Sequence, residues 1–426
     1  MNITYLVHGF PPFENAGTEQ HTALLARQMV AAGHNTTVIS ATRQPGQLHG
    51  VVLSEEWMGI SVHRIVNNVP TVPLSSTERR PEIERTITSL IPEDTDLIHI
   101  QHTQFLSSQI PFEGPMVWTL HDAWGWCPAG GTLLHNQTHL CTTPSAGDCV
   151  ACYAQWSPQI PTSGQLLIQI AERLSPVISP TTLHRLWKRL PHKLRSPFSI
   201  EILPQNIEAE KHLHARNEQF SRLAKRCEVI SPSKFLQDLA HEQGWKNVQN
   251  IPHGLLRNRY WNSHIGGDGL LFVGSMVHHK GPQLVSSAYK LAFPSENKPI
   301  LFVGKGPISV PYKHIDGVSN NTIYELLQKA DALVMGSLWN ENYPIILLEA
   351  KAVGCPIIAP KCGGIPEIVK DGIDGILYTM GSEKELANAM TAIFTEQWNP
   401  TPPLSSIDMT NQYIELYESI LVRRSQ

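Results

Sequence analysis

The chain has 426 residues, of which 41% are hydrophobic and 16% are charged, and its formal net charge is −4. This composition excludes an intrinsically disordered chain, and the slightly acidic balance provides no general attraction to nucleic acid. The length exceeds one ordinary hydrophobic core and indicates two domains of about 200 residues each. No apolar run approaches the roughly 18 residues that span a bilayer, and the first residues lack a secretory pattern. We therefore expect a cytoplasmic protein whose seven cysteines are reduced or bound to metal.

The first elements form a β-α-β pattern. Asn2–Val7 is predicted as a strand, Thr18–Ala32 as an amphipathic helix and Thr36–Ala41 as the next strand. The connecting loop contains no G-x-G-x-x-G sequence, which argues against a nicotinamide or flavin site. Gly17 stands at the helix start, where backbone N–H groups suit an anion. The alternative is that Gly17 is an ordinary loop glycine.

Two further predicted strands each lead into a histidine. Asp96–Gln101 precedes His102, and Met116–Leu120 precedes His121, which opens the sequence His-Asp-Ala-Trp. Open α/β sheets bind their ligands beyond the carboxyl ends of strands, so both histidines are candidate site residues. The chain has 20 histidines, and a single histidine is more often structural or solvated than functional.

A group of cysteines follows. Cys149 and Cys152 have the two-residue spacing that lets both thiolates face one metal ion. With two more cysteines nearby, four ligands could form a closed structural zinc site, and they are Cys127, Cys141, Cys149 and Cys152. The alternative is four reduced thiols in a loop, because the cluster contains no second pair with this spacing.

The segment 183–195 combines basic side chains with leucines and a tryptophan, and it contains no acidic residue. This pattern is typical of a basic amphipathic helix, which could make a peripheral contact with anionic lipid or hold an anionic acceptor. The alternative, which we favour, is a solvated helix with one face packed on its domain.

The second half of the chain again alternates strands, loops and helices. Cys227–Ser231 is predicted as a strand, Ser233–Gln243 as a helix and residues 255–268 as a linker. Leu270–Val273 and Ile300–Val303 are predicted as buried strands, each followed by a loop rich in glycine. The notable residues of these loops are Gly274, Ser275 and Lys280 after the first strand, and Gly304, Lys305 and Gly306 after the second.

Two glutamates, Glu341 and Glu349, flank the start of a predicted helix. Pro344 can begin this helix because its missing N–H would be unpaired there, and Gly354 can end it. Glu341 then lies in the loop before the helix and Glu349 within it. The N–H groups at the helix start suit a phosphate, and the carboxylates could bind hydroxyls of a sugar and of a ribose.

The elements before and after Glu341 and Glu349 follow a specific order. The Glu-seven residues-Glu pattern follows the apolar run Ala330–Met335 and precedes the strand Pro356–Ala359 and the turn Cys362-Gly363-Gly364. This order resembles the second half of family 4 retaining glycosyltransferases. The resemblance covers roughly residues 1–125 and 225–424, and it is thin between them.

The resemblance implies the GT-B architecture, in which two Rossmann-like α/β domains face each other across a cleft. Residues 1–254 would form the acceptor-binding domain, and residues 266–402 the domain that binds the nucleotide-sugar donor. A final helix at 411–424 would cross back to the first domain.

The resemblance also implies roles for particular residues. The catalytic residues would be His121, Glu341 and Lys280. The donor-binding residues would be Gly17, Ser275, Lys280, Gly306, Asn342, Tyr343, Pro344, Ile345 and Glu349. The acceptor side would include His102, Asp122 and Trp124. Ser275 replaces an arginine that the family usually has, and Ala16 replaces a glycine. A lost contact to a charged group is worth about 1.5–3 kcal/mol, so these departures bear on diphosphate binding.

We therefore expect a retaining transferase that moves a hexose-type sugar from a nucleotide-diphosphate sugar, with a UDP-sugar as the first candidate, to an acceptor hydroxyl. The acceptor could be a glycan, a lipid-linked sugar or a natural product. No cofactor is expected for catalysis. The alternative from another functional class is a non-catalytic partner subunit that binds the nucleotide sugar. A third possibility is an epimerase that acts on the nucleotide sugar alone.

Overall fold

A computed structural model describes residues 1–44, 47, 50–67, 81–127, 130–135, 139–141, 149, 152, 158–159, 201–202 and 207–425. By their internal contacts the residues divide into two compact units. The first contains Met1–Ile230, Ala240–Gln249 and Ile414–Gln426, and the second contains Ser231–Leu239 and Asn250–Tyr413. The segment 183–195, interpreted as a solvated helix or as a peripheral membrane contact, lies outside the described residues. Within the described residues, no helix has both the length and the apolar character that crossing a membrane requires.

The strands of the first unit are β1 (Asn2–Val7), β2 (Asn35–Thr42), β3 (Val52–Trp57), β4 (Ile60–Val66), β5 (Leu97–Ile100), β6 (Met116–Thr119), β7 (Leu134–His135), β8 (His139–Leu140), β9 (Pro158–Gln159), β10 (Glu201–Ile202), β11 (Cys227–Ser231) and β12 (Val248–Asn250). The helices are α1 (Gly17–Ala31), α2 (Pro81–Leu90), α3 (Ile207–Arg226) and α4 (Lys234–Glu242), of which α4 begins in the second unit. The main sheet has the order β12-β11-β6-β5-β1-β2-β4-β3. Pairing from β11 to β4 is parallel, and the edge strand β3 is antiparallel to β4.

The strands of the second unit are β13 (Leu270–Val273), β14 (Ile300–Val303), β15 (Lys313–Ile315), β16 (Ala332–Val334), β17 (Ile357–Pro360) and β18 (Gly375–Tyr378). The helices are α5 (Pro282–Ala292), α6 (Asn320–Lys329), α7 (Ile345–Val353), α8 (Ile365–Ile368), α9 (Glu383–Ala392) and α10 (Ser406–Ser425), of which α10 ends in the first unit. The sheet is parallel throughout, in the order β15-β14-β13-β16-β17-β18.

Alternation along the strands builds a core on each face of the second sheet. Leu270 and Phe272 point to one face, where they pack with residues of α5 and α9. Leu271 points to the opposite face and packs with residues of α6 and α7. A parallel sheet covered by helices on both faces needs apolar side chains on both sides of each strand. This requirement explains the continuous apolar runs in the sequence.

Candidate functional site

The strand order of the second sheet determines where its site lies. Counted along the chain, the strands are arranged 3-2-1-4-5-6, so the order reverses between β13 and β16. Ligands of such sheets bind beyond the carboxyl ends of the strands at this reversal. The loop after β13 carries Lys280, and the loop after β16 carries Glu341.

Lys280 and Glu341 form a direct ion pair. The Nζ of Lys280 donates to Glu341 Oε1 at 2.7 Å, and the hydroxyl of Ser337 donates to the same oxygen at 2.7 Å. Glu341 is only 5% exposed. Burial raises the pKa of Glu341, but the charge and hydrogen bond of Lys280, together with Ser337, outweigh burial and leave the pKa below its ordinary value. The site therefore holds an ionised carboxylate bound to an ammonium group, a pairing that the sequence did not predict.

An aromatic side chain that the sequence reasoning missed lies beside this pair. The Nζ of Lys280 is 4.7 Å from the ring centroid of Trp339, a cation–π distance. The ring of His279 packs edge-on against Trp339 at 5.2 Å. Burial and the charge of Lys280 lower the pKa of His279, which favours a neutral ring. The feature of the sequence that could have identified Trp339 is its position two residues before Glu341.

Two glycines determine the shape of the loop that contains Glu341. The N–H of Gly364 donates to the Glu341 carbonyl at 2.8 Å. A Cβ atom on Gly363, whose φ is +52°, would lie 2.1 Å from the same carbonyl oxygen, and one on Gly364 would lie 2.0 Å from the Asn342 carbonyl oxygen. Only glycine allows this approach, so the turn predicted at Cys362-Gly363-Gly364 supports the loop directly.

The helix α7 begins one residue later than predicted. Pro344 has φ −66° and ψ 119°, so it precedes the helix, and Ile345 is the first helical residue. Gly354 ends the helix in the left-handed conformation, as the sequence predicted. The first N–H groups of α7 therefore belong to Ile345 and the residues after it.

Glu349 projects from α7 into a different environment from that of Glu341. It is 6% exposed, and burial raises its pKa to about 8. The described part of the chain provides no hydrogen-bond partner for its carboxyl group. A buried carboxyl without an internal partner gains most from hydroxyl donors on a ligand.

The other predicted donor-binding residues have varied positions. The side-chain oxygen of Asn342 accepts a hydrogen bond from the Ser233 hydroxyl. The ring of Tyr343 packs edge-on against His253 at 5.6 Å. Ser275 is exposed. A Cβ atom on Gly306 would lie 2.3 Å from the Met276 carbonyl oxygen, so this glycine allows the two glycine-rich loops to pack together.

In the first sheet the order reverses at β1, which lies between β2 and β5. His121 follows β6, and its Nε2 is 2.7 Å from the side-chain oxygen of Gln101, which follows β5. The ring of His21, from α1, lies edge-on to His121 at 5.2 Å. Gln101 and His21 were not predicted as site residues.

His102 and Trp124, which were predicted on the acceptor side, are both buried. His102 Nδ1 accepts the N–H of Gln104 at 3.1 Å, and its Nε2 lies 3.4 Å from an Asp122 oxygen. Trp124 Nε1 donates to the Thr103 hydroxyl at 3.1 Å. Burial and the charge of His8 outweigh Asp122 and lower the pKa of His102. The pKa of Asp122 is also lowered, because the interaction with His102 outweighs burial. Asp122 is the most accessible of the three.

A second histidine–carboxylate pair stands beside His102 and was also missed. His8 Nε2 lies 3.0 Å from Glu19 Oε1, and the His8 and His102 ring centroids are 4.5 Å apart. Burial raises the pKa of Glu19, but the hydrogen bond and charge of His8 outweigh it and lower the pKa. Gly17 is the first residue of α1 and is exposed, so its backbone is accessible, as an anion contact requires.

Two of the four cysteines, Cys127 and Cys141, contact the same residue of the loop after His121. The N–H of Leu133 donates to the Cys127 sulfur at 3.4 Å, and the N–H of Cys141 donates to the Leu133 carbonyl at 2.8 Å. Cys127 and Cys152 are buried, and Cys141 and Cys149 are half-buried. Across the described residues, no group of three or more histidine, cysteine or acidic side chains is arranged to hold a metal ion. The zinc site remains a prediction.

Family models match most of both units. A model described as "Glycosyltransferase Family 4" matches residues 16–147, and one described as "Glycosyl transferases group 1" matches residues 267–396. Together they cover more than half of the chain. They include the loops that carry Gly17, His121, Lys280 and Glu341.

Two curated relatives match over shorter regions. An uncharacterized 41.2 kDa protein in the cps region of Klebsiella pneumoniae is 25% identical over 166 residues, which is 35% of this chain and 46% of that protein. The D-inositol 3-phosphate glycosyltransferase of Corynebacterium glutamicum is 28% identical over 145 residues, which is 29% of this chain and 34% of that enzyme. Each match spans less than half of the relative.

A solved structure shares the fold over the whole chain. HepE of Anabaena, solved in complex with UDP and glucose, superposes with a TM-score of 0.59 at 15% identity and covers 98% of this chain and 99% of HepE. This likeness, with one largely parallel and one fully parallel sheet, confirms the predicted α/β GT-B fold class.

Proposed function

Because the chain belongs to the family 4 glycosyltransferases, we propose that it transfers a hexose-type sugar from a UDP-sugar to an acceptor hydroxyl with retention of configuration. The observation that carries this proposal is the grouping of Lys280, Glu341 and Glu349 around the start of α7. The ammonium group of Lys280 can bind phosphate. The carboxyl groups of Glu341 and Glu349, whose pKa values shift in opposite directions, can bind hydroxyls.

On this proposal the second unit binds the donor. Lys280 and the first N–H groups of α7 hold the diphosphate, because both present positive charge. Glu341 accepts hydroxyls of the transferred sugar. Glu349 accepts the ribose hydroxyls, which supply the hydrogen bonds that its buried carboxyl does not find in the described chain. When the donor binds, Lys280 gives up part of its contact with Glu341 and contacts the diphosphate instead.

In the proposed reaction the bond from the anomeric carbon to the diphosphate oxygen breaks and a bond to the acceptor oxygen forms on the same face. The acceptor proton passes to an oxygen of the leaving diphosphate, so no protein base is required. The protein acts by positioning the reactants and by stabilising charge on the leaving group. Gly17 is proposed to contact the diphosphate, and His121 the transferred sugar near its 6-position.

The choice of UDP is supported by the complex of HepE with UDP and glucose. The acceptor class stays open among glycans, lipid-linked sugars and natural products. Asp122 is proposed as an acceptor contact, because it is 30% exposed while its neighbour His102 is buried.

A thermal-shift panel of UDP, GDP, ADP and dTDP, with their sugars, tests the donor site. A ligand at a hundred times its dissociation constant adds about 2.7 kcal/mol of stability. We expect UDP and a UDP-sugar to stabilise the wild type, and Glu349→Ala to remove this shift, because the ribose hydroxyls lose their acceptor. Glu396→Ala is the matched control, since Glu396 is an exposed glutamate of the same unit. A shift that Glu349→Ala leaves unchanged would contradict the proposed donor site.

A non-catalytic sugar-nucleotide-binding subunit is the alternative, and the exposed Ser275 in place of an arginine favours it. A nucleotide-release assay separates the two functions. A transferase releases UDP from its UDP-sugar, and faster when the acceptor is present. A binding subunit shows the thermal shift without releasing nucleotide.

A further inference from the structure

His121 is held by a residue that is itself completely buried. Gln101 lies just beyond the end of β5 and is 0% exposed. Its side-chain oxygen is 2.7 Å from His121 Nε2. An amide oxygen can only accept a hydrogen bond, so the proton in this contact is on His121 Nε2.

The amide nitrogen of Gln101 faces the ring of a second histidine. The amide nitrogen lies 3.0 Å from Nε2 and 3.2 Å from Nδ1 of His99, which is also 0% exposed. In turn, His99 Nδ1 is 2.6 Å from the Tyr417 hydroxyl, and Nε2 is 2.8 Å from the Thr119 hydroxyl. Burial and the neighbouring His21 place the pKa of His99 well below its ordinary value, so this ring stays neutral and keeps both contacts.

The aromatic neighbour of His121 is uncharged, and the Gln101 position is one that an apolar side chain could fill. The ring of His21 lies edge-on to His121, and burial lowers the pKa of His21 to about 3, so His21 adds no positive charge. A buried amide is unfavourable unless hydrogen-bond partners replace the water it loses. An apolar side chain would fill the Gln101 position without that requirement, so core packing alone does not explain a glutamine there.

From this geometry we infer that Gln101 is a positioning residue, which orients the His121 ring and fixes its proton on Nε2. The inference rests on the proposed function, because it takes His121 as a residue that contacts the sugar. A ring held in one orientation and one tautomer presents a defined edge to a bound sugar, whereas a ring that populates both tautomers does not.

The tautomer is measured directly by long-range 1H–15N NMR of the full chain labelled with 15N-histidine. The His121 signals are assigned by their loss in His121→Asn. We expect the wild type to show the Nε2–H tautomer. In Gln101→Met, which has a similar length but no acceptor, His121 should populate both tautomers. Gln101→Glu keeps an acceptor oxygen in place and should restore the Nε2–H form.

Kinetics then separates positioning from general loss of structure. Gln101→Met should lower kcat roughly tenfold and change the donor KM by no more than about twofold, because the sugar is bound but misoriented. Gln219→Met is the matched control in the first unit. The side-chain oxygen of Gln219 also accepts a partly buried hydrogen bond, from the Ser108 hydroxyl at 2.9 Å. Its substitution should leave the His121 spectrum and kcat unchanged.

Two results would overturn the inference. One is a wild-type spectrum with the proton on Nδ1, which requires no variant to fold. The other is a His121 spectrum that is the same in Gln101→Met as in the wild type. Failure of the proposed function is a separate result, since it would appear as no UDP release and no donor-induced thermal shift while the Nε2–H tautomer persisted.

Discussion

Glu341 and Glu349 show how the surroundings of a residue decide its chemistry. Both carboxyl groups are buried, and both are contributed by one short stretch of chain. Glu341 has Lys280 and Ser337 as partners, and its pKa is lowered. Glu349 is affected by burial alone, which raises its pKa to about 8. The first is therefore an ionised acceptor, and the second changes its charge near neutral pH.

This difference predicts a pH dependence of stability. Because the pKa of Glu349 is higher in the folded than in the unfolded chain, the folded state binds the proton more tightly. Its contribution to stability is complete below the unfolded value of 4.5 and declines as the pH rises to about 8. The unfolding free energy of Glu349→Gln relative to that of the wild type should therefore increase by roughly 2–4 kcal/mol as the pH rises from about 5 to 8.

Urea unfolding of both proteins across this pH range provides the measurement. Glu396→Gln, at an exposed position, controls for the loss of one negative charge and should follow the wild type. Parallel pH profiles for Glu349→Gln and the wild type would show that the Glu349 carboxyl is ionised without penalty in the folded protein.

At the scale of elements, α7 is anchored at its C-terminal end by a buried ion pair. Lys351 Nζ donates to Asp374 Oδ2 at 2.7 Å and to the Ile368 carbonyl at 2.6 Å. The same carboxylate oxygen accepts the Lys370 N–H, and the other accepts both the N–H and the hydroxyl of Thr401. This network ties α7 to the segments around β18 and so fixes the start of the helix beside Glu341.

Removing Asp374 should therefore destabilise the second unit strongly. Asp374→Ala leaves the Lys351 ammonium buried and unpaired, and breaking such a pair costs about 3–5 kcal/mol. We expect a lower urea midpoint together with weaker UDP binding, because the start of α7 loses its support. Asp316→Ala is the control, since its side chain is 80% exposed in the same unit. A loss below about 1 kcal/mol would mean that the pair is dispensable.

At the scale of the whole molecule, two parallel sheets carry separate sets of polar residues beyond their strands. In each sheet these residues lie where the strand order reverses. The last residues, Ile414–Gln426, belong to the first unit although the chain reaches them from the second. They contribute the Tyr417 contact with His99 and an Arg423–Glu228 ion pair at 3.1 Å.

Truncation after Tyr413 tests this division. The first unit would lose Tyr417, which is completely buried, and should unfold at a lower urea concentration. Donor binding, proposed for the second unit, should survive as a UDP-induced thermal shift, whereas UDP release should fall. Arg424→Ala, which removes an exposed bond to the Glu113 carbonyl, should have a small effect on both. Loss of the UDP shift on truncation would contradict the proposal that the second unit provides most of the donor binding.

Apolar patterning was sufficient to predict much of the fold. Leu270–Val273 and Ile300–Val303 match their predicted bounds, because strands covered on both faces must be apolar throughout. Several strands were not predicted, among them β3, β15 and the interior strand β4. β3 contains Ser54, Glu55 and Glu56, and β15 begins at Lys313. Both lie at sheet edges, where exposed polar side chains hide the strand pattern.

The sequence by itself determined the family and the fold class, and it placed Lys280, His121 and Glu341 in loops after strands and Glu349 within a helix, because these features depend on local motifs and on apolar periodicity. Only the tertiary structure decided which side chains meet. Lys280 and Glu341 are 61 residues apart, and Gln101 and His121 are 20 apart. Their contacts depend on the lateral order of strands, which results from packing of the whole sheet and leaves no local signal in the chain.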